Sequence, residues 1–492
     1  MSSSKKNDDL SKLSRSKSEV KKQGGTSNGK SLNNNQIKRI STERKEISSK
    51  KYRQYQKSRN KKSKSQNTGK SSNQKIQNWG LEFFRKSEDG VQDITIKDKI
   101  YEILTGEMHM FFLTKNKSVY GLGSNEYGQL GLPNISLIQR PQLLPFSEKI
   151  SVSRLFVGAD FSFCMSTSHQ VYSWGLNLKG QLGLGHFENV QFPALVKSLS
   201  KDKKSDKRKL SNKTNEKLKK KVFLLNENEI VVDISCGALH TIALTNKSRV
   251  YSCGFGENYS LGHNSSKTLN QFKEIAFFHQ LSSSSSHKIE KICSGTSHSG
   301  ALIAGKVYIW GTFAHSKYCL NKIPNAVHLN QSVMDFVLGD LLTVILSKNG
   351  KVFTLGENTD GQLGIPEVNN YNMVEVVIPC KIEYICCGLN HIIAINNTEG
   401  RIFGWGSNQF GQVHPNSKSD FFSEPFELPW MYNAKAYIIT CGPFSTVLVS
   451  AKRAKISSHG ENNEDLETML QLKKRYNLLK KKQKKLIKKM KC

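Results

Sequence analysis

A chain of 492 residues with 37% hydrophobic and 23% charged residues is too poor in apolar side chains to be folded throughout, and reads as a globular body diluted by polar segments. The basic excess is confined: residues 1–75 hold 22 Lys and Arg against 5 Asp and Glu (net +17), residues 197–221 hold 12 against 3 (+9), and residues 452–492 hold 14 against 4 (+10), leaving a remainder of −3. No stretch approaches the roughly 18 apolar residues of a membrane span, and the opening MSSSKKNDDL lacks the apolar core of a signal peptide, so neither secretion nor membrane spanning is expected.

Residues 1–75, rich in Ser, Lys, Asn and Gln, read as a disordered basic tail. Tyr52, Tyr55 and the Lys-Arg pairs suit backbone contacts to nucleic acid but carry no base-specific code. A solvated tail with no partner is the alternative.

From Trp79 onward a repeat sets in. An aromatic or aliphatic pair runs into glycine at Gly80, Gly123, Gly175, Gly254, Gly311, Gly356 and Gly406, and four of the five tryptophans directly precede one of these glycines. A second glycine station recurs at Gly106, Gly158, Gly237, Gly295, Gly339, Gly388 and Gly442. From this station to the next aromatic glycine the interval is 16 to 18 residues, which predicts a rigid hairpin of two short strands; the reverse interval varies from 26 to 62, so insertions collect there. Asn349-Gly350 predicts a two-residue hairpin turn with positive φ.

Seven copies of each half predict seven four-stranded blades. Because the series opens on the aromatic half at Trp79-Gly80 and ends on the other half at Cys441-Gly442, the two extremities are expected to complete one blade and close the ring, and truncating either should open it.

Between two blades, residues 197–221 form a basic insert carrying Lys203, Lys204, Lys207, Arg208, Lys209, Lys219, Lys220 and Lys221. It reads as a polyanion-binding or nuclear-import segment, with a solvated loop as the alternative. Beyond residue 450 a helix is predicted: Met469, Leu472, Tyr476, Leu479, Gln483, Leu486 and Met490 recur at heptad spacing, acids lead and lysines close. Its run Lys480, Lys481, Lys482, Lys484 and Lys485 is a second polyanion candidate, and like charges argue against dimerisation, so a monomer is expected.

Gly128-Gln129-Leu130-Gly131, Gly180-Gln181-Leu182-Gly183, Gly361-Gln362-Leu363-Gly364 and the weaker Gly411-Gln412-Val413 follow aromatic strands. With Cys-Gly at Gly237, Gly388 and Gly442, and Gly-x-x-His at His109, His240, His298 and His391, the chain over roughly residues 76–450 resembles the regulator-of-chromosome-condensation repeat. The expected fold is therefore all-β, a seven-bladed β-propeller with a disordered basic N-terminal tail (1–75) and a basic C-terminal helix (451–492).

The resemblance implies a partner-binding propeller and, as in the family's founding members, guanine-nucleotide exchange on a Ran-like small GTPase through acids just after the glycine of particular blades. The corresponding stations read Gly158-Ala159-Asp160 and Gly237-Ala238-Leu239-His240, so Asp160 is the acid on offer; Asp340 sits in another blade. Both are candidates for partner binding, with loop capping as the alternative. No catalytic constellation, cofactor motif or metal set stands out, and the four histidines recur one to a blade, which favours structural hydrogen bonding over shared ligation. Ten cysteines without a Cys-x-x-Cys spacing point to reduced thiols of the nucleus or cytoplasm. Three readings stay open: a nuclear, chromatin-associated interaction propeller whose partners include a small GTPase; a genuine exchange factor; and a cytoplasmic, ciliary or microtubule-linked scaffold.

Overall fold

The computed structural model describes residues 75–80, 92–199, 225, 228–284, 288–313, 320–366, 372–428 and 436–450. The N-terminal tail up to residue 74, the insert lysines from Lys203 to Lys221 and the C-terminal helix expected over 451–492 lie outside them. Among the described residues, 28 strands form seven four-stranded antiparallel sheets, and the only α-helices are two short ones, Phe146–Lys149 and Ala276–Ser284. No helix among them is long and apolar enough to cross a membrane. The fold is an all-β, seven-bladed propeller.

Six blades are simple meanders of consecutive strands. Their first strands are Ile100–Thr105, Val152–Val157, Val231–Cys236, Ile289–Ser294, Val333–Leu338 and Tyr384–Cys387, for blades 1 to 6 in order. These strands and Ala436–Cys441 of the seventh blade touch one another around the ring and so surround the axis. The second strands lie between neighbouring blades on both faces. Every residue of sequences such as HMFFLT, FSFCMS and LTVILS is buried, which explains why these segments read as near-continuous apolar runs rather than alternating ones.

Fourth strands form the outer rim, and four of them carry one proline each, Pro141, Pro193, Pro324 and Pro425. A residue without an N–H on an exposed edge discourages pairing with another chain.

The seventh blade is made from both extremities of the described chain. Lys75–Gly80 pairs antiparallel with Ser445–Ser450, Lys75 opposite Ser450 and Gly80 opposite Ser445, and the sheet runs from Gln92–Ile94 across these two strands to Ala436–Cys441. The predicted rigid hairpins are the second and third strands of each blade. One detail differs: at Asn349-Gly350 only Gly350 takes positive φ (77°), and its N–H bonds Ser347 O while Ser347 N–H bonds Lys351 O. The turn is thus a three-residue loop with one left-handed position, not a two-residue turn. The same loop recurs with Lys117, His169 and Ser248 at that position, which is why no glycine marks it in those blades.

Candidate functional site

The glycine stations lie at the turns between first and second strands, and all seven gather at one end of the axis. Neighbouring turns are tied by backbone hydrogen bonds: Glu107 N–H to Ala159 O at 2.9 Å, Thr296 N–H to Gly339 O at 3.0 Å, Asp340 N–H to Leu389 O at 2.8 Å and Leu389 N–H to Pro443 O at 3.1 Å. A β-carbon on Gly106 would lie 2.3 Å from the His109 ring and 2.8 Å from Gly158 O, so glycine is what lets adjacent turns close up. Together the turns line a cavity of about 520 Å³ that opens at this end. Its polar lining includes Glu107, Glu257, Asp340 and Lys179, among apolar Ala238, Leu341, Leu389 and Phe444.

The repeat histidines hold the seams behind the cavity. His109 Nε2 meets Ser162 Oγ (3.3 Å), His240 meets Ser299 (2.8 Å), His298 meets Thr343 (3.4 Å) and His391 meets Thr446 (3.1 Å), each in the following blade. Three of these hydroxyls donate in turn to a carbonyl of the preceding blade's Gly-Gln-Leu-Gly turn or its counterpart: Ser162 to Gln129 O, Ser299 to Ser260 O and Thr446 to Gln412 O. The hydroxyl proton being committed, the imidazole Nε2–H is the donor to it. Repeat tryptophans complete the seam, Trp174 Nε1–H donating to Gln129 O (2.8 Å), Trp310 to Ser260 O (2.7 Å) and Trp405 to Gln362 O (3.2 Å). Burial pushes His109, His240 and His391 down to about 3 and His298 to about 4, so all four are neutral near pH 7. Each therefore serves its own seam. Among the described residues, no three His, Cys, Asp or Glu side chains gather as a metal set.

The two acidic candidates sit at the same end of the axis but are not equivalent. Asp340 is buried and lines the cavity. Asp160 stands outside that lining: its carboxylate accepts from Gln129 Nε2 at 3.4 Å, and its carbonyl accepts from Leu176 N–H.

One arrangement was not anticipated. Four residues before the station glycine, the first strands carry Glu102, Arg154, Asp233, Lys291 and Asp335 in blades 1 to 5, then Tyr384 and Ile438. Charge alternates from blade to blade: Arg154 contacts Asp233 at 2.9 Å and Lys291 contacts Asp335 at 2.6 Å. Burial raises the pKa of Glu102 and of Asp233, although Arg154 works against it in both. The fixed offset from glycine was the signal available in the sequence, legible only once first strands are known to be neighbours.

The strand directions also fix where the basic segments attach. First strands run toward the cavity end, so the opposite end receives the fourth-strand exits, the second-to-third turns, and the pair Lys75 and Ser450. Residues 1–74 join at Lys75, the insert leaves after Leu199 and the chain beyond 450 leaves at Ser450; all three roots lie at the end away from the cavity.

The regulator of chromosome condensation (RCC1) repeat family matches residues 117–165, 168–207, 247–302 and 349–395, and a second description of the same repeat matches 231–260 and 382–412. The chain thus carries RCC1 repeats. It is 26% identical over 357 residues to the probable E3 ubiquitin-protein ligase HERC6 of Homo sapiens, covering 69% of this chain but 31% of that protein, so the chain spans under a third of this relative. The match to the ultraviolet-B receptor UVR8 of Arabidopsis thaliana is 24% identical and covers 72% of this chain and 75% of that one; the RCC2 homolog of Xenopus laevis is 33% identical over 38% of each. Among solved structures, Prp20p of Saccharomyces cerevisiae, described with its binding to Gsp1p and histones, matches with a TM-score of 0.60 at 18% identity, covering 82% of this chain and 95% of that one. Human WBSCR16 matches with a TM-score of 0.59 at 18% identity, covering 77% and 98%.

Proposed function

We propose that this chain is a two-ended interaction propeller: the cavity end holds a protein partner, and the basic segments rooted at the other end hold a polyanion. The observation that carries this reading is the separation of charge, with +17, +9 and +10 in the three segments and −3 in the remainder, together with their common root away from the cavity. Lysine runs rooted on one side can neutralise phosphates while the rim on the other receives a partner. The partner is a small GTPase of the Ran type and the polyanion is nucleic acid or chromatin, which makes the nucleus the working compartment; Prp20p, described with Gsp1p and histones, supports this pairing by analogy. Asp340, in the cavity wall, is the acid we assign to partner contact, and Asp160 a positioning role through Gln129. Exchange activity follows only if the bound GTPase is held in its nucleotide-releasing form.

The test uses the full chain with a Ran-type GTPase and a DNA duplex. GTPase binding, and any release of labelled guanine nucleotide, is expected to fall at least tenfold in Asp340→Lys while DNA affinity is unchanged. Replacing the lysines of 203–221 and 480–485 with Gln is expected to do the reverse and to flatten the salt dependence of DNA binding. Loss of both activities in either variant contradicts the two-ended reading.

A further inference from the structure

At blades 6 and 7, where the alternating charges stop, two thiols meet across a seam. Cys386 and Cys387 end the first strand of blade 6, and Cys441 ends that of the closing blade. Cys386 Sγ and Cys441 Sγ are 3.3 Å apart, across the seam between the two blades. Both belong to the apolar cluster of that seam, with Trp79, Ile393, Ile439 and Leu448. Their accessibility differs in a useful way: Cys441 lines the axial cavity, whereas Cys386 is buried and is not among its lining residues.

We propose that Cys386 and Cys441 form a reversible, peroxide-driven disulfide that staples the closing blade to its neighbour. The sulfurs, already in contact at 3.3 Å, must close to a bond of about 2 Å. A small hydroperoxide enters by the cavity. The Cys441 thiolate attacks one peroxide oxygen, the O–O bond breaks, and the departing oxygen leaves as water after protonation, giving a sulfenic acid. The Cys386 sulfur then attacks the Cys441 sulfur, displaces the hydroxyl as a second water, and the S–S bond forms. Two thiols and one hydrogen peroxide thus give one disulfide and two waters; a dithiol reductant reverses the change.

The consequence is local to closure. Ala436–Cys441 and Ser445–Ser450 form the half-blade onto which Lys75–Gly80 pairs, and a staple through Cys441 holds that half-blade against blade 6. Burial pushes the Cys441 thiol up, so attack on peroxide is slow near neutrality and quickens about tenfold per pH unit.

The experiment treats the full folded chain with hydrogen peroxide, removes the peroxide, unfolds the chain in the presence of a thiol-blocking reagent, and maps linkages by mass spectrometry without reduction. A Cys386–Cys441 linkage is expected, forming faster at pH 8.5 than at pH 7, with a rise in the thermal midpoint that dithiothreitol removes. Cys441→Ser and Cys386→Ser should each abolish both linkage and rise, while Cys293→Ser retains them. Should either variant fold poorly, the wild-type linkage map alone decides. Both thiols still blocked after peroxide, or a bond to Cys387 in place of this one, overturns the proposal.

Discussion

Blades 1 to 6 are each drawn from four consecutive strands, whereas the closing blade joins two segments from opposite extremities of the described chain. The seam chemistry is nevertheless the same in both: Thr446 of the closing blade bonds Gln412 O and meets His391, as Ser162 bonds Gln129 O and meets His109. The repeat therefore encodes seams, and connectivity is a separate matter. In six blades a loss of pairing leaves the strands tethered; in the seventh, the pairing of Lys75–Gly80 with Ser445–Ser450 is what keeps the ring shut.

The largest effect should come from breaking that pairing. Val449 is fully buried opposite Ile76, and Leu346 holds the matching position in blade 5. Val449→Asp and Leu346→Asp each bury an unpaired charge, expected to remove more than about 4 kcal/mol. Small-angle scattering at low denaturant should show expansion of the ring for Val449→Asp at conditions where Leu346→Asp stays compact.

Acid should loosen the seams shared by both kinds of blade. In the folded chain the four histidines stay neutral down to about 3 or 4, while unfolded histidines take up protons below about 6.5. Their contribution is thus complete above pH 6.5 and is lost as pH falls through the window toward 4, at about 1.4 kcal/mol per pH unit for each. Glu102 and Asp233, raised by burial, act in the opposite sense in the carboxylate range, so urea unfolding between pH 6.5 and 5 gives the cleanest slope. His240→Gln should flatten that slope by about one proton.

A smaller contrast separates the tryptophans. Trp310→Phe removes one of the two hydrogen bonds that Ser260 O accepts, Ser299 Oγ–H keeping the other, and should lose about 1 kcal/mol. Trp79 Nε1 finds no acceptor among the described residues, so Trp79→Phe in the closing blade should lose less. Smallest of all, Lys291→Met breaks a partly exposed pair with Asp335 and should change stability by about 1 kcal/mol or less, with an effect that shrinks as salt is added.

Most of the architecture was legible because glycine marks it. The 16-to-18-residue interval measures one hairpin, and a β-carbon on Gly175 would lie 2.7 Å from Asp160 O, so the aromatic strand must carry glycine where it passes that turn. Partnerships across seams were not legible. Ser162 follows the Gly158 station by four residues in sequence, yet its partner His109 lies 53 residues earlier, and only the ring brings them together. Part of the difference between Asp160 and Asp340 was legible, since one lies two residues after its station glycine and the other directly after; the Gln129 amide that engages Asp160 was not, because it comes from another blade.

The most direct test of two working ends is hydrogen–deuterium exchange on the full chain, with and without a DNA duplex. Protection is expected in peptides carrying the lysine runs and the second-to-third-strand turns, with none at the turns from Gly106 to Gly442. Protection of the cavity turns by DNA would contradict the account.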